Sequence, residues 1–225
     1  MNELSVTDAV KTRRAVRIFT DEPVAEDTLR EILSLASRAP SNGNLQPWKV
    51  YAVTGDALRE ALESINTGLY TDDNMEAPQY PIYPEKLQEP YRGRRRDCGE
   101  LMYTALGIER EDKASRIKQV MKNFHFFGAP VGIILTMDES MDLGQAMDVG
   151  IFAQNIMLLA KERGLDTCPQ ASWAQWPKRV RSALGIADEE KVMLGISLGY
   201  AADHPVNVVE QPRVPLEDFA SLRGF

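Results

Sequence analysis

Apolar and polar positions along this chain repeat in two rhythms, and the rhythms mark out most of its elements. A short helix is predicted over residues 5–12, where Ser5 is a candidate N-cap and Asp8 completes a capping-box pattern. In residues 25–38, Leu29, Ile32, Leu33 and Ala36 fall at the i, i+3, i+4, i+7 spacing of one buried helix face. Residues 48–53 read as a strand and 56–65 as a second amphipathic helix; helical patterns return over 97–107 and about 109–122. Residues 129–136, with Val131, Ile133, Ile134 and Leu135, predict a buried strand. Residues 146–163 form the longest apolar helix, stopped by Gly164. Its Val149, Ile151, Phe152, Ile156, Met157, Leu158 and Leu159 leave few faces for water, which places it in the core or at an interface. A short strand over 165–168, a helix over 177–184 closed by Gly185, and a core strand over 192–198 complete the pattern.

Two stretches follow neither rhythm. From about 66 to 96 proline and tyrosine accumulate, and four prolines within 77–90 exclude a continuous helix. A long ordered loop or lid is expected there. From Ala201 onward, Pro205, Pro212 and Pro215 interrupt a segment with no core pattern, which predicts an extended arm. No repeat or linker divides the chain. Residues 1–225 are expected to form a single domain, with a lid-like excursion over about 66–125 and a C-terminal arm over about 201–225.

Composition narrows the classes of function. A chain of 225 residues can bury a real core. Its net charge of −7 argues against a general binder of nucleic acid or of anionic membranes. The two cysteines, Cys98 and Cys168, give no disulfide framework, and a reducing compartment suits them. No apolar run approaches the ~20 residues that cross a bilayer. The start, Met-Asn-Glu-Leu-Ser, lacks a basic region followed by an apolar one, so a cytoplasmic location is expected.

The most informative stretch is Arg38-Ala-Pro-Ser-Asn-Gly-Asn-Leu-Gln-Pro-Trp48, between the second helix and the first strand. Ser41, Asn42, Asn44 and Gln46 carry groups that both donate and accept hydrogen bonds. Gly43 permits unusual backbone angles, while Pro40 and Pro47 stiffen the ends. Such a rigid rim of neutral, bifunctional groups suits a planar heterocycle edged with carbonyls and ring nitrogens. A polar turn leading into a strand has the same composition. Upstream lies a basic cluster, Lys11, Arg13, Arg14 and Arg17, which is either a solvated face or a phosphate site of guanidinium forks.

Pro40-Ser41-Asn42…Gln46-Pro47-Trp48, preceded by Thr12-Arg13-Arg14-Ala15-Val16-Arg17-Ile18-Phe19, resembles the paired signature of the FMN-dependent nitroreductase family. The resemblance covers nearly the whole chain and is weakest over about 66–125. It implies an α+β fold, a nitroreductase-like α/β sandwich whose central mixed, mainly antiparallel sheet is wrapped by helices, closed as a homodimer with FMN at the subunit interface. By matching positions, Arg13 would hold the phosphate and ribityl end with Arg14 beside it, and Arg17 would lie near the pyrimidine edge of the ring. Ala15 stands where the family usually has serine. Pro40, Ser41, Asn42, Asn44 and Gln46 would frame the ring. Cys168-Pro169-Gln170-Ala171-Ser172 resembles the segment along the ring, with a backbone N–H near Ala171 or Ser172 aimed at N5. Arg213 occupies the place of a basic pair at the phosphate, and Asn123 matches a ring-contacting amide. The implied activity is ping-pong hydride transfer from NADH or NADPH, through FMN, to a nitroaromatic, quinone or related electron-poor acceptor.

Other chemistries are weaker. Gly195-Ile-Ser197-Leu-Gly199 matches the nucleophile elbow G-x-S-x-G. The only later histidine, His204, directly follows Asp203, so a hydrolase built on Ser197 could not place its acid and base separately. Close packing within a strand explains the glycines more simply. No metal-ligand spacing, P-loop or G-x-G-x-x-G is present. Cys168 reads as a small buried hydrophobe and His125 as a partly buried aromatic. Arg94 to Arg96 form either a surface charge run or a site for a phosphorylated nicotinamide. A non-catalytic ligand-binding module is the alternative from another class.

Overall fold

The computed structural model describes residues 4–69 and 75–225. Residues 1–3, and the part of the predicted loop at 70–74, lie outside them. The chain begins with helix α1 (Val6–Thr12), where the Ser5 hydroxyl accepts from the Asp8 N–H as the cap pattern predicts. Helix α2 (Glu26–Ala36) leads through the polar loop into strand β1 (Lys49–Thr54), and helix α3 (Gly55–Asn66) follows. Helices α4 (Tyr91–Ala105) and α5 (Lys113–Met121) precede strand β2 (Val131–Asp138). Helix α6 (Leu143–Glu162), strand β3 (Asp166–Gln170), helix α7 (Pro177–Leu184) and strand β4 (Glu190–Gly199) complete the domain. Gly185 ends α7 in the left-handed conformation at φ 63°.

The four strands form one sheet in the order β1-β2-β4-β3, each pair antiparallel. Among the described residues the one parallel pairing is a single bridge from Ala15 to Thr167, by which the segment after α1 lies against the β3 edge. Alternation in β2 sends Ile134 to one face of the sheet and Val131, Ile133, Leu135 and Met137 to the other. The first face packs on α3, α7 and an aromatic cluster of Phe124, Phe126, Phe127 and Trp173; the second packs on α2 and α6. The architecture is therefore α+β, an antiparallel sheet covered by helices on both faces.

Three local differences from the sequence reading have physical causes. The stretch expected to lack helix up to Arg96 becomes helical at Tyr91, directly after Pro90. Proline blocks the residues before it, but at an N-cap its missing N–H costs no helix bond. The Glu89 carboxylate then accepts from the Gly93 N–H at 2.9 Å, satisfying one end group of α4. Helix α6 begins three residues earlier than its apolar pattern, because Asp142 and Gln145 form a capping box. By length and composition α6 alone among the described helices could cross a membrane. Here Val149, Phe152, Ala153, Ile156 and Ala160 are buried against the sheet. The tail after Ala201 begins pinned. The Asn207 side chain accepts from the N–H of Arg17 and donates to the carbonyls of Ile18 and Ala202.

Candidate functional site

The basic motif is positioned by the end of α1 and by the edge of the sheet. After α1 the chain turns along β3, with the Val16 N–H donating to the Thr167 carbonyl at 3.0 Å. Arg13, Arg14, Ala15 and Arg17 thus line one cavity of about 470 Å³, joined by Lys11 from α1, Cys98 and Met102 from α4, and Arg213 from the tail. Arg14 is neutralised by Glu210 at 2.8 Å. The Arg13 guanidinium has no hydrogen bond or ion pair among the described residues. Burial, then the charges of Arg213 and Arg14, hold its pKa below the ordinary guanidinium value. A half-buried cation crowded by like charges is an anion site by its electrostatics, and a dianionic phosphate would relieve the crowding.

A second cavity of about 320 Å³ adjoins the first through Arg17 and Met102. It is lined by Pro169, Gln170, Ala171 and Ser172 at the end of β3, by Asn123 and Gln119, and by apolar Ile82, Val120 and Phe127. The amides here are differently committed. The Gln170 side chain donates to the Asn123 carbonyl at 2.7 Å and accepts from the Ser197 hydroxyl at 2.7 Å. Asn123 donates to the Val120 carbonyl at 2.9 Å. Ala171 and Ser172 open a 3₁₀ turn, so their N–H groups have no partner within it. Tyr83 lines this cavity and a third, wider one bordered by Arg94, Arg95 and Lys86. Arg92 pairs with Glu89 and Arg96 with Asp97. Arg95 instead lies 4.0 Å over the Tyr83 ring, and neither Arg94 nor Arg95 has a carboxylate partner among the described residues.

The polar loop does not join these cavities within the single chain. Pro40, Ser41, Asn42, Asn44 and Gln46 lie on the opposite face of the sheet, where the Asn42 N–H donates to Asp148 of α6 and Trp48 stacks on Phe152. Gly43, Asn44 and Gln46 all take left-handed angles, φ 59°, 54° and 50°. That conformation is costly for Asn and Gln and is held by the Gln46 N–H bond to the Ser41 hydroxyl. The side-chain amides of Asn42 and Asn44 are exposed and make no bond among the described residues. The loop is a braced rim that leaves the Asn42 and Asn44 amides unspent.

The competing readings are resolved by burial. Ser197 is fully buried with its hydroxyl spent on Gln170, so it is no nucleophile. A Cβ on Gly195 would sit 1.9 Å from Trp173, and one on Gly199 2.5 Å from Pro130. The G-x-S-x-G pattern records close packing, as the sequence reading held. Burial pushes the Cys168 thiol up to about 11, which makes it an inert core group. His125 is exposed, contrary to expectation, because the tight turn that buries Phe124, Phe126 and Phe127 directs it outward. Sequence reasoning missed the wall supplied by Gln119, Cys98 and Met102, since helical spacing on α4 and α5 does not say which cavity a face closes, and it missed Tyr83 because the proline-rich loop before α4 has no rhythm to read.

Fold and site together place a cation-rich pocket beside an amide-edged one on the α3–α7 face of an α+β sheet. A family model described as the nitroreductase family matches residues 10–200. The chain is 39% identical over 218 residues to a nitrobenzene nitroreductase of Ectopseudomonas oleovorans, covering 96% of each. It is 38% identical to a 4-nitrobenzoate reductase of Pseudomonas putida, covering 96% of this chain and 94% of that one. Among solved structures, the FMN and NADPH-dependent nitroreductase NfnB from Sphigopyxis sp. strain HMH superposes with a TM-score of 0.95 at 40% identity, over 99% and 100% of the two chains. The chain belongs to the nitroreductase family.

Proposed function

We infer that this chain is an FMN-dependent nitroreductase that draws electrons from NADPH or NADH and works as a homodimer. The observation that carries the reading is the unpaired, half-buried Arg13 guanidinium, crowded by Arg14 and Arg213 in a pocket that adjoins the cavity at Pro169–Ser172 through Arg17 and Met102. The donor set fits FMN: Arg13, Lys11 and Arg213 would hold its phosphate, and the Gln170–Ser172 turn and Asn123 would flank its ring. When bound, FMN would supply the redox chemistry, two-electron exchange between a nicotinamide and a nitroaromatic, quinone or related acceptor in a ping-pong cycle. Arg17 places a positive charge between the two cavities, which favours negative charge on the ring. The N–H groups of Ala171 and Ser172, without a partner inside their own turn, would offer donors at the ring. Arg94 and Arg95 offer the 2′-phosphate of NADPH two cations without carboxylate partners.

The loop of Pro40, Ser41, Asn42, Asn44 and Gln46 reaches the same ring only from a second copy of the chain. An exposed apolar stripe on α6, Leu143, Met147 and Ile151, supplies a surface for that copy. Tail residues Leu216, Phe219 and Leu222 are likewise exposed and would embrace it.

The purified protein is expected to be yellow, to release FMN and not FAD on denaturation, and to bleach with NADPH or NADH under anaerobic conditions. A colourless protein that takes up no added FMN would refute the reading and return the chain to the class of binding modules.

A further inference from the structure

Helix α6 holds the polar loop at three places, and all three fall on one of its faces. The Asn155 side chain donates to the Ala36 carbonyl at 3.3 Å, where the chain leaves α2. The Phe152 ring stacks on Trp48, where the chain enters β1. Between them the Asp148 carboxylate accepts from the Asn42 N–H at 3.1 Å. Positions 148, 152 and 155 have the i, i+4, i+7 spacing of a helix face. Asp148 is 7% exposed, and this is the one hydrogen bond its side chain makes among the described residues, with no ion pair beside it. A buried carboxyl group so sparsely compensated costs stability, whereas a leucine there would bury apolar surface without that cost. The worth of the carboxylate therefore lies in what it holds. Every other hydrogen bond of residues 41–46 among the described residues stays inside the loop, including that of the Gln46 N–H to the Ser41 hydroxyl. Asp148 alone ties the left-handed turn to the domain by a hydrogen bond.

We propose that Asp148 is a positioning residue for the flavin ring. By anchoring the Asn42 N–H it fixes the turn in which Gly43 and Asn44 take positive φ, and so presents the exposed Asn42 and Asn44 amides to the ring held by a second copy of the chain. The proposal rests on the FMN reading above. Asp148 acts through the loop and not on the ring. Its place on α6 supports the role, because Met147 of the exposed stripe precedes it and lies about 100° away around the helix. The loop that Asp148 ties down therefore borders the surface on which the second copy would dock. One helix offers its partner a docking stripe and, on the adjoining face, holds the groups that the partner's flavin needs.

The test compares Asp148→Leu, of similar size but without an acceptor, with Asp148→Asn, which keeps one acceptor oxygen. Asp148→Ala is the second acceptor-free variant should the first not fold. Apo-protein is titrated with FMN and with riboflavin, each followed by quenching of flavin fluorescence, with the assembly state checked by sedimentation. Asp148→Leu is expected to weaken both ligands together, by about three- to tenfold, and to shift the visible absorption of the bound flavin. Asp148→Asn is expected to restore both readouts nearly to wild type. In protein that also carries Asn42→Ala and Asn44→Ala, Asp148→Leu should cost no further affinity, because the residues act as one unit. A merely structural carboxylate would add its full effect in that background. Four results would overturn the assignment: unchanged flavin affinity in Asp148→Leu, an Asn variant as weak as the Leu variant, full additivity with the loop substitutions, or a variant that has lost the wild-type assembly. Wild-type protein that binds neither flavin overturns the functional reading itself, and the assignment with it.

Discussion

Individual residues in this chain divide by whether their role is local. Arg13, Arg14 and Arg17 were legible because three cations within five residues imply a charged surface wherever the chain goes. Arg13→Ala is expected to lower FMN affinity about tenfold to a hundredfold, the worth of a charge-assisted contact, while riboflavin binding stays unchanged. Parallel loss of both ligands in the titration would make Arg13 structural. Gly195 was half legible: a glycine in an apolar strand signals close packing, but not that Trp173 lies against it. Gly195→Ala forces the fully buried Trp173 to move, and such overpacking costs about 1–3 kcal/mol. A drop of several degrees in melting temperature checks this, and an unchanged Tm would show that the aromatic cluster yields. Glu190 was not legible at all, since its partners Lys49, Tyr51 and Thr136 come from two other strands. Burial alone would raise its carboxyl, but hydrogen bonds from Lys49, Thr136 and Tyr51 outweigh it and hold the pKa below the ordinary value. A depressed folded pKa means stability fully present above the unfolded value of about 4.3 and lost as pH falls through the folded one. Glu190→Gln should therefore flatten the acid limb of a stability-versus-pH curve, and an unaltered limb would place the acid sensitivity elsewhere.

At the scale of elements, periodicity located every strand and all seven helices of the described chain to within a few residues, except at α4. There, the prolines masked a helix that starts as soon as they end, and Arg92 to Arg96 became the first turns of a helix bordering a cavity. The distinction bears on function because a helix fixes which cations pair. Arg92 and Arg96 find carboxylates in Glu89 and Asp97, leaving Arg94 and Arg95 available. Arg95→Ala is expected to raise the KM for NADPH about two- to fivefold, a modest effect because the group is exposed, and to leave NADH unchanged. Calorimetric titration with 2′,5′-ADP against 5′-AMP isolates the phosphate contribution. Equal effects on both nucleotides would assign the cavity to some other ligand.

For the molecule as a whole, the sequence brought two motifs into one hypothesis, and the fold of a single chain puts them on opposite faces of its sheet. Nothing in local periodicity could have revealed this, because it depends on strand order and on which face α6 covers. The separation is itself an argument about assembly. If the Arg13 cavity and the Pro40–Gln46 loop both touch one flavin, the loop must come from a second protomer, and the ligand then binds the dimer and not the separated chains. An interface including the stripe Leu143, Met147 and Ile151 together with the apolar tail would be of the obligate class, above about 2,000 Å². Ligand that binds only the assembled state stabilises it by mass action. Removing FMN is accordingly expected to lower the melting temperature, and diluting the apo-protein to promote dissociation that added FMN reverses. Exchanging Ile151 for Glu puts a charge into the stripe and should shift that dissociation to higher protein concentration, with flavin affinity falling in step. Sedimentation velocity measured alongside flavin content decides the matter. A monomer at micromolar concentration that retains FMN and turns over would separate the two motifs for good, leaving the loop without a place at the ring while the arginine pocket kept its phosphate.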